Sequence, residues 1–168
     1  MSEENLKRKE ALEKLQLLIN KIDIGMLCTY PTSEAYVHAV PMSRQEVDEE
    51  GCIWYLFSKD SQTYKNIKDD NKVSIQFADI GNYTFLSVNG NAEISDDIER
   101  IKRYWNKFVE AWFEKGIDDP NIRILKIEIK DAHYWDNKTN KLVTFFKVAS
   151  SAITGKNLDI GREGALDL

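Results

Sequence analysis

The chain has 168 residues, of which 42% are hydrophobic and 30% charged, with a net charge of −5 at pH 7. This composition is typical of a soluble globular protein, and the length predicts a single domain over residues 1–168. The negative charge argues against a general nucleic-acid-binding surface, and no apolar run approaches the ~20 residues that span a bilayer. Two cysteines, and a charged N-terminus without the apolar core of a signal peptide, predict a cytoplasmic protein with reduced thiols.

An amphipathic helix is predicted at the N-terminus, over residues 1–22. Leu12, Leu15, Ile19 and Ile22 recur at helical spacing and give this segment one apolar face. Gly25 lies just past the expected end of the helix, where glycine commonly terminates one. We expect the apolar face to pack on a sheet.

Six strands are predicted, at residues 25–30, 36–43, 52–57, 72–77, 83–94 and 122–134. Pro41 cannot donate a ladder hydrogen bond, so the second strand is expected at an edge, at a bulge or where the sheet opens. Asn89, Gly90 and Asn91 predict a bulge or sharp bend in the fifth strand. Short turns between neighbouring strands favour an antiparallel sheet that curves into a small barrel, so the predicted class is α+β. The barrel and its inserted helices would occupy residues 25–135.

Three helices are predicted after the third strand. A short helix begins at an N-cap of Asp60 or Ser61 and ends before the fourth strand. A second helix covers residues 96–115 and stops at Gly116. The third covers residues 140–155, and the polar tail at 156–168 is expected to be extended or loosely packed.

Few residues have the pattern of a metal site or a catalytic nucleophile. His38 and His133 lie on different predicted strands, and neither cysteine lies at metal-ligand spacing from another ligand, so no metal site is predicted. No catalytic acid or base is identified. The corner where the third strand leads into the Ser61 helix combines free backbone N–H groups with hydroxyls, which suits a phosphate.

Two aromatic groups allow alternative interpretations. The aromatic stripe within residues 104–113 is interpreted as helix core, with a dimer interface as the rival. Tyr134 and Trp135, which end the sixth strand, either cap the core or place a ring against a planar ligand.

Several segments in this order resemble a known family. They are VPM at 40–42, DEEGCIWYLFSKDS at 48–61, NKVSIQFAD at 71–79, SVNGNAEI at 87–94, RYWNKFVEAWFEKGIDDPNIRILKI at 103–127 and HYWD at 133–136. Together they are similar to the general stress protein 26 group of the pyridoxamine 5′-phosphate oxidase-like, FMN-binding split barrels. The resemblance implies a homodimer of six-stranded split barrels, with two FMN sites at the dimer interface.

The resemblance also implies which residues contact FMN. The ring would lie along one strand, the ribityl chain near the end of the next, the phosphate in the turn that follows, and a tryptophan near the flavin from one of the two subunits. In that order, the implied contacts are Val40, Pro41 and Met42; Phe57 and Ser58; Ser61, Gln62 and Thr63; and Trp135.

The chain departs from this pattern in its charge. Val40, Gln62 and Thr63 are neutral where the related oxidases usually carry basic residues, although Lys59 and Lys65 could replace them. The basic C-terminal substrate motifs of the true oxidase are also not evident. Three functions therefore stay open: a flavin-dependent oxidoreductase acting on a small molecule, a non-catalytic flavin-binding protein, and a cofactor-free dimer that binds another ligand or partner.

Overall fold

Ten strands and four helices make up the part of the chain that the computed structural model describes, residues 2–4, 6–32, 36–137 and 161–167. The helices are α1 (Arg8–Ile19), α2 (Gln62–Asp69), α3 (Ile98–Tyr104) and α4 (Lys107–Glu110). The strands are β1 (Ser2–Glu3), β2 (Leu6–Lys7), β3 (Ile24–Thr29), β4 (His38–Ser43), β5 (Glu46–Val47), β6 (Ile53–Ser58), β7 (Lys72–Asp79), β8 (Thr84–Ser95), β9 (Ile122–Asn137) and β10 (Gly161–Asp167). None of the described helices combines the length and apolarity that crossing a bilayer would require.

The antiparallel pairings close a ring of strands. β6 pairs with β9, β9 with β8, β8 with β7, and β7 with β3. The continuous segment from β4 to β5 then pairs first with β3 and next with β6, and the N–H of Gln45 donates to the carbonyl of Trp54 at 2.8 Å. The six predicted strands are all present, and β1, β2, β5 and β10 join them. The predicted α+β class with a curved antiparallel sheet is therefore confirmed.

The pairing of β8 with β9 is irregular where the sequence predicts a bulge or sharp bend, but the extra residue, Lys130, lies on β9 rather than on β8. The register between β8 and β9 shifts between Asn89 and Gly90. The chain packs so closely here that a Cβ on Gly90 would lie 2.3 Å from the carbonyl oxygen of Glu128. Only glycine fits this approach of two backbones.

Two hydrophobic clusters lie on opposite sides of β6. Inside the ring, Tyr55 and residues of β3, β7, β8 and β9 pack together, and α1 covers them with Leu15 and Ile19. Outside the ring, Trp54 packs with Ile101 of α3 and with β9. Because both faces of β6 are buried, its sequence is a continuous apolar run rather than an alternating one.

The N-terminal helix is shorter than predicted. α1 starts at Arg8, and the two strands before it, β1 and β2, pair with β10 in parallel. The N–H of Glu4 donates to the carbonyl of Glu163 at 2.7 Å, and the Tyr134 hydroxyl donates to the carbonyl of Glu4 at 2.9 Å. This pairing outweighs the helix propensity of the segment, whose apolar helical repeat begins only at Ala11.

The predicted helix over residues 96–115 is interrupted. α3 ends at Tyr104, and the Asn106 side chain accepts hydrogen bonds from the N–H groups of Phe108 and Val109 at 2.9 and 3.0 Å, so a new helix starts there. A 3₁₀ turn at Gly116–Asp118 follows, with Gly116 at φ 66°. An asparagine can act as an N-cap, and here that capping overrides the apolar periodicity.

The C-terminal tail is not loosely packed where it is described. β10 runs antiparallel to β9 and buries Leu166, which is 2% exposed. The helix predicted over residues 140–155 lies outside the described residues.

Candidate functional site

A cavity of about 410 Å³ lies beside the free edge of β4. Within the described sheet, β4 has β3 as its only neighbour, with Val40 opposite Leu27 and Met42 opposite Gly25. The interpretation of Pro41 as an edge residue is therefore confirmed. The other side of β4 faces no strand of the described sheet, and residues Val40 to Ser43 line the cavity there.

The end of β6 and the start of α2 form a second wall, with Phe57, Ser58, Ser61 and Thr63 among the lining residues. Ser61 is the N-cap, as one of the two predicted candidates: its hydroxyl accepts from the N–H of Tyr64 at 3.1 Å and donates to the carbonyl of Ser58 at 2.7 Å. The Ser61 hydroxyl therefore already has a partner in each direction, and this leaves it less available to a ligand.

The first turn of α2 still offers donors. No hydrogen bond engages the N–H groups of Gln62 or Thr63 within the described residues. The Thr63 side chain is 3% exposed and lines the cavity. The Gln62 side chain does not line it, because its amide donates to Asn66 at 2.8 Å, and Asn66 in turn donates to Thr29 at 2.9 Å. Two N–H groups and one hydroxyl at a helix N-terminus suit an anionic oxygen.

The third wall of the cavity consists of residues that are not among the predicted site residues. Phe108, Val109, Trp112 and Phe113 line the cavity from α4 and the turn after it. Their aromatic repeat was the available signal, and it was interpreted as helix core or dimer interface. Val109 and Phe113 do pack into the outer cluster, but Phe108 and Trp112 face the cavity and solvent.

The cavity is uncharged within the described part of the chain. None of its lining residues is Asp, Glu, Lys, Arg or His. Lys59 and Lys65, the predicted substitutes for the missing basic residues, are exposed and do not line it. The arrangement can bind a flat, largely apolar ligand with a polar end at α2, but it supplies no proton donor of the usual catalytic types.

Trp135 lies away from the cavity of its own chain. It is half-buried on β9, opposite Phe85 on one side and Glu163 on the other, with its ring 4.6 Å from that of His133. Among the described residues, no group of three or more His, Cys, Asp or Glu side chains could hold a metal ion.

The residue after Trp135 anchors this end of β9. Lys14 donates to Asp136 at 2.6 Å, Thr84 donates to the same carboxylate at 3.1 Å, and the N–H of Asn137 at 2.8 Å. Burial alone would raise the pKa of Asp136, but Lys14 and the other donors outweigh it and hold that pKa below its ordinary value. The carboxylate is thus a charged, well-bonded anchor between α1, β8 and β9.

Comparison with solved structures finds the same architecture elsewhere. A general stress FMN/FAD binding protein from Xanthomonas citri is 31% identical, covers 79% of this chain and 93% of its own, and superposes with a TM-score of 0.66. A general stress protein 26 from Jannaschia sp. is 23% identical over 95% of this chain and 96% of its own, with a TM-score of 0.71. At that identity the second likeness speaks for the fold alone.

Sequence comparisons point to the same group. General stress protein 26 of Bacillus subtilis is 40% identical over 47 residues, and protein bli-3 of Neurospora crassa is 27% identical over 124 residues. The first match covers 28% of this chain and 33% of the Bacillus subtilis protein. The second covers 68% of this chain and 59% of the Neurospora crassa protein. The model of the pyridoxamine 5′-phosphate oxidase-like family matches residues 10–159. The chain therefore belongs to the pyridoxamine 5′-phosphate oxidase-like family, within its group of proteins similar to general stress protein 26.

Proposed function

We propose that the protein binds FMN in the cavity between β4 and the N-terminus of α2, as a cytoplasmic homodimer. One observation carries the proposal: seven of the nine contacts implied by the family resemblance line a single cavity. They are Val40, Pro41, Met42, Phe57, Ser58, Ser61 and Thr63. The Xanthomonas citri relative, whose name includes FMN/FAD binding, supports a flavin as the ligand class.

The residues present fit the two ends of this cofactor unequally. The free edge of β4, with Val40 and Met42 half-buried beside it, offers backbone donors and acceptors to a flat ring. At the other end, the N–H groups of Gln62 and Thr63 and the Thr63 hydroxyl would meet the phosphate. Because none of the described lining residues is a cation, the phosphate would lack, from this part of the chain, the charge-assisted bonds that contribute roughly 1.5–3 kcal/mol each. We therefore expect the ring to provide most of the affinity.

An exposed apolar face supports the dimer. Ile24, Met26 and Phe85 are 53%, 42% and 38% exposed. The strand registers place Met26 beside Pro41 and Phe85 beside Trp135, all on the outward side of the sheet. A second copy seated on this face would cover these side chains and bring its own Trp135 towards the cavity. This arrangement reconciles the predicted role of Trp135 with its distance from the cavity in one chain.

When bound, FMN would supply hydride or electron transfer, and the proposed activity is the reduction or oxidation of a small molecule. The chain's own contribution is to bind and orient: β4 positions the ring, α2 holds the phosphate, and the apolar walls exclude water. A non-catalytic flavin-binding role is the second candidate, and one observation favours it. Among the residues of the cavity wall that the structure describes, none has the side chain of an ordinary general acid or base.

Titration of the purified protein with FMN, followed by quenching of flavin fluorescence, tests the binding proposal. We expect one FMN per chain. Thr63→Val keeps the side-chain shape and removes the hydroxyl, and it should weaken binding about fivefold, as expected for one neutral hydrogen bond. Thr32→Val makes the same change at an exposed turn outside the cavity and should leave the affinity unchanged. A colourless protein that ignores added FMN would contradict the proposal and favour the cofactor-free alternative.

Electron-transfer rates separate the enzyme from the flavin-binding protein. The reduced, FMN-loaded protein is mixed with oxygen or with a quinone, and its reoxidation is compared with that of free FMN at the same concentration. Faster reoxidation of the protein-bound flavin supports an oxidoreductase. Equal or slower rates with every acceptor support the binding role.

A further inference from the structure

The aromatic wall of the cavity presents two large apolar side chains to solvent. Phe108 is 60% exposed and Trp112 is 76% exposed, and both line the cavity. They are four residues apart, Phe108 on α4 and Trp112 in the turn after it, and both contribute to the same wall. Exposure of two neighbouring aromatics at a cavity mouth is unfavourable unless a ligand or partner covers them.

The backbone beneath this wall is fixed. Asn106 caps the start of α4, and the N–H groups of Trp112 and Phe113 donate to the carbonyls of Val109 and Glu110 at 3.0 and 3.2 Å. Val109 and Phe113 are buried in the outer cluster, where the rings of Phe113 and Trp105 lie 6.0 Å apart. Phe108 and Trp112 are therefore a preformed surface rather than part of a loose loop.

The chemistry of the wall restricts what can bind. The two exposed aromatic rings and the apolar residues around Pro41 favour a planar, apolar molecule. With the N–H donors of α2 taken up by the FMN phosphate, a second charged group brought to the open side would lose its water and find no charged side chain among the described lining residues. A phosphorylated substrate such as pyridoxamine 5′-phosphate would meet that penalty.

We propose that Phe108 and Trp112 bind an uncharged, planar aromatic substrate at the open side of the cavity. The proposal rests on the proposed function, in which the inner part of the same cavity holds the flavin. It names the substrate class of that site, with quinone-like and other flat neutral rings as its members.

Equilibrium binding to the FMN-loaded protein tests this assignment without relying on turnover. The probes are menadione, which is neutral, a naphthoquinone sulfonate, which is anionic, and pyridoxamine 5′-phosphate. Menadione should bind at least about tenfold more tightly than either charged probe. Trp112→Ala should weaken menadione binding about tenfold, and Phe108→Ala by a similar factor, since each removes one stacking surface. Ile98→Ala is the control, because Ile98 is 63% exposed on α3 but does not line the cavity.

Three outcomes would overturn the proposal: equal affinity for neutral and charged probes, unchanged menadione binding in Trp112→Ala, or an equal loss in Ile98→Ala. If a second copy covers Trp112 instead, Trp112→Ala will raise the dimer dissociation constant in sedimentation and leave menadione affinity unchanged, which also overturns it. FMN is titrated separately into each variant. Normal FMN binding with failed menadione binding refutes the substrate class alone, whereas loss of FMN binding in the wild type refutes the proposed function.

Discussion

A positive charge added at the start of α2 should convert a weak phosphate site into a strong one. Gln62 is exposed and lies between Ser61 and Thr63, which both line the cavity. In Gln62→Arg, the guanidinium can reach an anion held by the free N–H groups of this turn. One charge-assisted hydrogen bond contributes roughly 1.5–3 kcal/mol, and solvent screening at an exposed position favours the lower figure. We therefore expect about tenfold tighter FMN binding.

Riboflavin distinguishes this effect from a general change in the cavity, since it carries the same ring without the phosphate. Gln62→Arg should leave riboflavin affinity unchanged, and the gain for FMN should shrink as salt concentration rises. Asn71→Arg adds the same charge at an exposed position beyond the opposite end of α2 and should alter neither affinity. If Gln62→Arg tightens riboflavin as much as FMN, or leaves FMN unchanged, the phosphate does not lie at this turn and our placement of the cofactor is wrong.

Three further substitutions test the packing by urea denaturation. Asp136→Asn should lower the free energy of unfolding by about 3 kcal/mol, because it leaves the charge of buried Lys14 without its partner. The pKa of Asp136 is lowered in the folded protein, so this carboxylate stabilises the fold fully above the ordinary carboxyl pKa. That stabilisation is lost as the pH falls through the lowered pKa. The free energy of unfolding of Asp136→Asn should not show this dependence on pH. Tyr55→Phe should raise stability by about 1 kcal/mol, because the buried Tyr55 hydroxyl has no hydrogen-bond partner among the described residues. Gly90→Ala should lower stability by about 3 kcal/mol through collision with the backbone of Glu128.

The control for Gly90→Ala is a glycine with open space around it. Gly116→Ala places its Cβ in open space at φ 66°, so only the backbone strain of about 1–2 kcal/mol should appear. If Gly90→Ala lowers the free energy of unfolding by no more than Gly116→Ala does, the close approach of the two backbones at Gly90 is contradicted. A destabilised Tyr55→Phe would mean that the hydroxyl has a partner, and an unchanged pH profile in Asp136→Asn would remove Asp136 from the acid response.

Local signals in the sequence predicted much of the fold. The alternating strands, the Ser61 cap, the edge position of Pro41 and the irregular pairing at Gly90 all depend on neighbouring residues, so a short window contains their physical cause. Two of the segments predicted in this way, the strand at Pro41 and the turn at Ser61, form walls of the same cavity. The family resemblance supplied their spatial relation, which spacing along the chain does not.

The remaining features depend on contacts distant in sequence. The first residues of the chain form strands because β10, more than 150 positions later, pairs with them. The break at Asn106 was missed because the apolar repeat continues across it, while the cap is a single side chain. The position of Phe108 and Trp112 at the cavity was missed for a similar reason, since a helical repeat does not tell which residues face the core and which face a cavity.

The uncharged cavity links flavin affinity to the proposed dimer. The Ser61 hydroxyl already has hydrogen-bond partners in the chain, so the start of α2 keeps its shape without a bound anion. An anion that binds there gains only a few neutral donors. Ring contacts would then carry most of the binding, and Trp135 of the same chain is not among the described lining residues. If a second copy supplies its own Trp135 to the ring, each flavin bound also stabilises the dimer, and the dimer in turn raises flavin affinity by the same factor. A phosphate site without a cation among its described residues would thus depend on dimerisation for its cofactor more strongly than a site that has one.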